Sequence, residues 1–177
     1  MRIGLTGSMS VGKTSLVNEL KKLTEFKDYK FATERSKYLN SLGIPLNTDS
    51  TLNGQTMFLA ERAVELINEN IITDRTVIDV MAFTNLAKSI NYVDKNNFYE
   101  YARNFINQYD YIFYIPTTGL RIEDNGIRET NPEYREDIDK SIQLIISQNK
   151  HRIKNLHTIK GDIPQRIEQI LKVISNE

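Results

Sequence analysis

The stretch Arg2-Ile3-Gly4-Leu5-Thr6-Gly7-Ser8-Met9-Ser10-Val11-Gly12-Lys13-Thr14 decides how the chain is read. Residues 2–6 form a short apolar run of strand type, and from Lys13 to Leu23 the residues Leu16, Leu20 and Leu23 fall on one face of a helix. Between them, Gly7–Thr14 fits the spacing G-x-x-x-x-G-K-[ST] in full, in the strand-to-helix context that gives the pattern meaning. Each part answers to a phosphate. The glycines let backbone N–H groups turn inward, and a helix starting near Lys13 points its positive dipole end at an anion. Lys13 is expected to reach β and γ phosphates, and the Thr14 hydroxyl to ligate Mg²⁺. Gly7, Ser8, Met9, Ser10, Val11, Gly12, Lys13, Thr14 and Ser15 are the expected nucleotide contacts of this loop.

Outward from the loop, strand-like and helix-like runs alternate. Tyr29–Thr33 reads as a second strand, Glu34–Leu42 as a short helix ending at Gly43, and Asn53–Asn70 as a longer helix with Met57, Ala60, Val64 and Ile67 as its apolar stripe. Ile71-Ile72-Thr73 makes a third strand, cut short by Asp74-Arg75. Helices follow over Ile78–Ile90 and Lys95–Gln108, then an aromatic strand over Asp110–Ile115 that Pro116 stops. After a polar segment, Pro132 fits the first turn of a helix capped by Asn131, with Ile138, Ile142, Ile145, Ile146 and Ile153 as its buried stripe. Leu156–Lys160 is a last strand, and Pro164–Ser175 a closing helix. This order predicts an α/β chain, residues 1–177, in one domain: a five-stranded parallel sheet with helices on both faces, the P-loop NTPase fold.

Composition narrows the function. A chain of 177 residues suffices for one core without staples. The absence of cysteine excludes disulfides, thiolate metal sites and a cysteine nucleophile, and it suits a reducing, cytoplasmic setting. With 23 Lys+Arg against 23 Asp+Glu there is no global basic field to hold nucleic acid. No run approaches the roughly 20 apolar residues of a membrane span, and the chain enters its first motif directly where a signal peptide would stand. The only Asn-Lys pair, Asn149-Lys150, continues as His151-Arg152, which is not the N-K-x-D guanine reader of a GTPase switch. A small kinase fits these facts better than a switch or a ring-forming motor.

The other candidate residues cluster where such a sheet presents its carboxyl ends. Glu34 follows the second strand, where a carboxylate can orient or deprotonate an attacking hydroxyl, and a helix-start role is equally open to it. Asp74 and Arg75 end the third strand and offer a carboxylate to Mg²⁺ and a fork of donors to phosphate. Asp79 falls in the next helix, or becomes the metal carboxylate if the strand runs on through Thr76–Val80. Thr117–Arg135 reads as a lid carrying Arg121, Arg128 and Arg135, with Arg128 and Arg135 the preferred pair for charge stabilisation. Gly161, Asp162, Ile163 and Pro164 form either a plain capped turn or a rest for a nucleotide base. The aromatics Tyr92, Phe98, Tyr99, Tyr101, Phe105 and Tyr109 read as core.

Together these residues resemble the ribosylnicotinamide-kinase-like group of P-loop kinases and ATPases, which includes phage-type nucleotide kinases and is related to deoxynucleoside and thymidylate kinases. The resemblance is carried by Gly7–Thr14, Thr33-Glu34-Arg35, Thr73–Asp79 and Asp124–Glu129. It implies ATP and Mg²⁺ as cofactors, Glu34 as base or hydroxyl-orienting group, Asp74 and Arg75 as the metal and phosphate pair, Arg128 and Arg135 as lid arginines, and Gly161–Pro164 near adenine. It further implies a nucleoside or nucleotide acceptor, with Asp49, Gln55, Phe58, Glu61 and Arg62 as candidate pocket residues. A hydroxyl in polynucleotide as acceptor, a non-catalytic ATP-binding regulator and a homodimer stay open at this point.

Overall fold

The computed structural model describes residues 1–33, 35–117 and 131–175. Five strands, β1 (Arg2–Thr6), β2 (Lys30–Ala32), β3 (Ile71–Asp74), β4 (Tyr111–Tyr114) and β5 (Leu156–Thr158), form one sheet in the order β2-β3-β1-β4-β5. Every pairing is parallel. The central strand β1 thus has the chain's next strands on one side and its last two on the other. The loop after β1 lies at this reversal of strand order, the place where open α/β sheets bind ligands.

Alternation along the strands sorts side chains to the two faces. Ile3, Leu5, Ile72, Tyr111 and Phe113 point to one core, which α1 (Lys13–Leu20) covers with Leu16, Val17 and Leu20 and α7 (Ile163–Ile174) with Ile170. Ile112 and Tyr114 point to the other, filled by α3 (Leu52–Glu65), α4 (Val77–Leu86), α5 (Tyr92–Ala102) and α6 (Pro132–Gln148). The short α2 (Ser36–Ser41) lies between β2 and α3 in the chain. Gly4, on β1, is where Thr76 and Tyr109 press on the sheet from that second side, so close that a methyl group there would overlap both. Tyr111, Phe113 and His157 stack across β4 and β5, which gives the histidine a packing role.

The expected order of elements holds throughout, with ends displaced in both directions: α5 starts at Tyr92 ahead of the expected Lys95, β3 takes in Asp74, and α6 stops at Gln148, short of Ile153. Asn131 caps α6 by accepting the Glu133 N–H at 2.9 Å, ahead of Pro132, as the sequence indicates. The long third helix is turned the other way. Its expected stripe is solvent-facing, with Met57 47%, Val64 64% and Ile67 76% exposed, while Gln55, Leu59, Arg62 and Leu66 are buried. The aromatic set divides as well: Phe98 and Tyr109 are core, but Tyr92 and Tyr101 lie largely in solvent. Among the described residues no helix is long and apolar enough to cross a membrane.

Candidate active site

The phosphate loop closes on itself through Lys13. The residue is 5% exposed, and its ammonium donates to the carbonyl oxygens of Gly7 at 2.6 Å and Ser8 at 2.8 Å. The left-handed turns at Ser10 and Gly12, with φ of 57° and 88°, shape the rest of the loop before α1 begins at Lys13. Met9 and Val11 bury their side chains, so only their backbone is offered to a phosphate, whereas Ser15 is exposed on the first turn of α1.

Three elements pin the loop from outside. Asp79, fully buried at the third position of α4, accepts the Gly7 N–H at 3.2 Å and the Thr76 N–H and hydroxyl at 2.8 and 3.0 Å. It is therefore a capping and loop-holding carboxylate, and the alternative strand through Thr76–Val80 does not form. From α6, the Arg135 carbonyl accepts the Ser8 hydroxyl at 2.8 Å. From α7, Arg166 donates from Nη1 to the Val11 carbonyl at 2.6 Å.

Thr14 and Asp74, far apart in the chain, meet at the head of the loop, the hydroxyl donating to Asp74 Oδ2 at 2.5 Å. Asp74 is 1% exposed at the end of β3. An alcohol and a carboxylate are the hard oxygen donors Mg²⁺ prefers, so this pair fits the ion the sequence implies. Arg75, next in the chain, adopts φ of 82°, a strained conformation for a residue with a side chain. That turn lays its guanidinium over the Phe83 ring, 4.8 Å from the centroid, with Nη1 3.9 Å from Asp79 Oδ1.

A cleft opens beside the loop, lined by Met9, Gln55, Phe58, Arg75, Asp79 and Phe83, with Ser36, Leu46, Asn47 and Val80 completing the wall. Of the five pocket candidates, Gln55 and Phe58 belong to it. Gln55 is 3% exposed, and its carboxamide makes no hydrogen bond to another described residue. Asp49 is exposed on a short turn, and Glu61 pairs with Arg35 at 3.3 Å. Arg62 turns behind the site, donating to the carbonyls of Asp74 at 3.0 Å and Arg75 at 3.4 Å and to Glu65 at 2.6 Å. It supports the end of β3 from the rear.

Glu34, Arg121 and Arg128, and lid residues 118–130 as a whole, lie outside the described residues. Arg135 is described: it is buried on the first turn of α6, and that burial lowers its guanidinium pKa while nearby Asp139 opposes the shift. Asp139 itself holds the Tyr114 hydroxyl at 3.0 Å and the Gln143 amide at 2.9 Å. The turn Gly161–Pro164 is a capped one, with Asp162 accepting the Gln165 N–H at 2.9 Å and Gln165 accepting the Asp162 N–H at 3.0 Å. It also stands against the loop, since Ile163 packs near Gly12. Sequence reading passed over Arg166, Phe83 and Leu46. Arg166 alone left a signal, a charged residue among Ile163, Ile167, Ile170 and Ile174 on an otherwise apolar face.

The family described as AAA domain matches the chain over residues 2–166. No curated protein matches it. Among solved structures, deoxyadenosine kinase from M. mycoides with bound dCTP is similar with a TM-score of 0.71 at 21% identity, covering 100% of both chains. NadR protein in complex with NR gives 0.73 at 18% identity over 96% of this chain and 50% of its own. Shikimate kinase from Acinetobacter baumannii in complex with shikimate gives 0.57 at 14% identity, over 99% of this chain and 93% of its own. What these proteins share with the chain is the fold, a five-stranded all-parallel sheet of the P-loop kinase type.

Proposed function

The chain belongs to the AAA domain family and has the P-loop kinase fold, and from that premise we propose that it transfers a phosphoryl group from Mg·ATP to a nucleoside or (deoxy)nucleotide. One observation carries the reading beyond ATP binding: the cleft that starts at Met9 of the phosphate loop and ends on the buried carboxamide of Gln55. A carboxamide offers a donor and an acceptor in one plane, the pattern on the edge of a nucleobase, and Phe58 and Phe83 supply aromatic walls for its faces.

In the proposed reaction an acceptor oxygen attacks the γ-phosphorus as the bond to the bridging oxygen of ADP breaks. Lys13 leaves its carbonyl partners for the β and γ phosphates, and the N–H groups of the loop hold them in line. Thr14 and Asp74 would hold Mg²⁺, which when bound would supply neutralisation of the phosphate charge. Glu34 orients the acceptor hydroxyl and receives its proton; an acceptor that is already a phosphate needs only the orientation. Arg75, Arg128 and Arg135 stabilise the charge spread over the transferring group, and the turn Gly161–Pro164 borders the adenine.

The test is ADP release from Mg·ATP against a panel of nucleosides, deoxynucleoside monophosphates, nicotinamide riboside and hydroxymethyluracil-containing DNA, with Lys13→Ala as control. Acceptor-dependent release, reduced by about 10²-fold or more in Lys13→Ala, is the expected result. ATP binding with no stimulation by any acceptor would replace the kinase with a nucleotide-binding regulator.

A further inference from the structure

A loop that binds phosphate through its backbone must keep its N–H groups turned inward, which turns the carbonyl of the preceding residue outward. The peptide is planar and trans, so the Val11 carbonyl and the Gly12 N–H point in opposite directions. Whatever fixes the carbonyl fixes the donor. That carbonyl is held by Arg166, a residue 3% exposed, which donates from Nη1 at 2.6 Å across 155 positions of sequence. A bond from a charged donor is about twice as strong as one between neutral groups. Gly12 completes the fit, because a methyl group there would come within 3.2 Å of the same nitrogen.

We propose that Arg166 is a positioning residue for the nucleotide phosphates: from the first turn of α7 it clamps the Val11–Gly12 peptide in the orientation that presents the Gly12 N–H to the ligand. The inference rests on the phosphoryl-transfer reading for its consequence in turnover, but the clamp itself is a property of the ligand-free protein. The anchor is rigid. Asp162 caps α7 reciprocally with Gln165, the Arg166 N–H bonds the Asp162 carbonyl at 3.0 Å, and Ile170 is fully buried one turn on. Burial of Arg166 lowers its pKa, with Asp162 on the same turn opposing the shift, and the Val11 carbonyl is the one hydrogen-bond acceptor its side chain reaches among the described residues. The turn Gly161–Pro164 is continuous with that anchor.

The experiment compares the full chain with Arg166→Met, which keeps the buried stem and removes the donors, and with Arg166→Lys, which keeps one charged donor. Binding of inorganic tripolyphosphate with Mg²⁺ is measured by calorimetry, and amide hydrogen exchange of the segment 7–14 is measured without ligand. Arg166→Met is expected to weaken tripolyphosphate about tenfold and to speed exchange in the loop, with Arg166→Lys recovering part of both. In turnover, KM for ATP rises about tenfold while kcat and the acceptor KM change less than twofold. Wild-type exchange and wild-type tripolyphosphate affinity in Arg166→Met would overturn the proposal. If the wild type itself gives no acceptor-dependent ADP, the kinase reading falls, and the exchange comparison still decides the clamp. Should Arg166→Met not fold, Arg166→Gln, too short to reach Val11, takes its place in the same measurements.

Discussion

Burial pushes the Glu65 carboxyl up to about 7, against the pull of the Arg62 guanidinium 2.6 Å away, with Glu61 and Asp74 adding to the rise. The unfolded chain titrates this group in the usual carboxylate range, so between about pH 4.5 and about 7 the folded state holds the extra proton. Its contribution to stability is complete below that window and is lost as pH climbs through 7. Glu65→Gln keeps an oxygen for Arg62 and removes the titration. We expect its thermal midpoint to fall less than that of the wild type between pH 5 and pH 7.5, and parallel midpoint curves would show that Glu65 does not titrate there. Residues of this kind were the hardest to read in advance. Lys13 and Thr14 declare themselves because their chemistry lies in contiguous spacing. Asp79 and Arg166 act on partners 72 and 155 positions away, and only the fold brings those distances to 3.2 and 2.6 Å.

At the scale of elements, α3 shows where pattern reading fails and why. Two stripes compete on it. The more apolar one, Met57-Ala60-Val64-Ile67, is the natural choice for the core, yet it faces solvent. The stripe that is buried, Gln55-Leu59-Arg62-Leu66, carries an amide and a cation because this helix walls the cleft at one end and braces Asp74 and Arg75 at the other. A cleft wall and a brace behind β3 place polar side chains at core positions, and hydrophobic periodicity cannot register that. The strands, α1 and α6 were legible because apolar burial alone places them. The orientation of α3 predicts a reversal of the usual ranking: Leu59→Ala should cost about 2–5 kcal/mol as a buried truncation. Val64→Ala should stay within about 0.5 kcal/mol. Urea unfolding of both variants measures this, and a larger loss at Val64 would mean the helix packs by its other face.

For the molecule as a whole, the phosphate loop is the knot that joins its two layers. Asp79 of α4 and the Arg135 carbonyl of α6 hold it from one face of the sheet, and Arg166 of α7 from the other. A ligand that fills the loop stabilises the meeting point of both cores, so its binding energy should appear in a single cooperative transition. At a hundredfold excess over Kd, Mg·ATP adds about 2.7 kcal/mol, which for a chain of this length raises the midpoint by roughly 5–10 °C. Adenosine alone should give a small fraction of that shift, since on the proposed reading the loop takes hold of phosphates, and Lys13→Ala should lose most of it. Calorimetric scans with and without Mg·ATP make the comparison. If the α1–α7 side and the α4–α6 side instead melted in two steps, with ATP moving only one of them, the loop would belong to a single layer and its anchors in the other would carry little load.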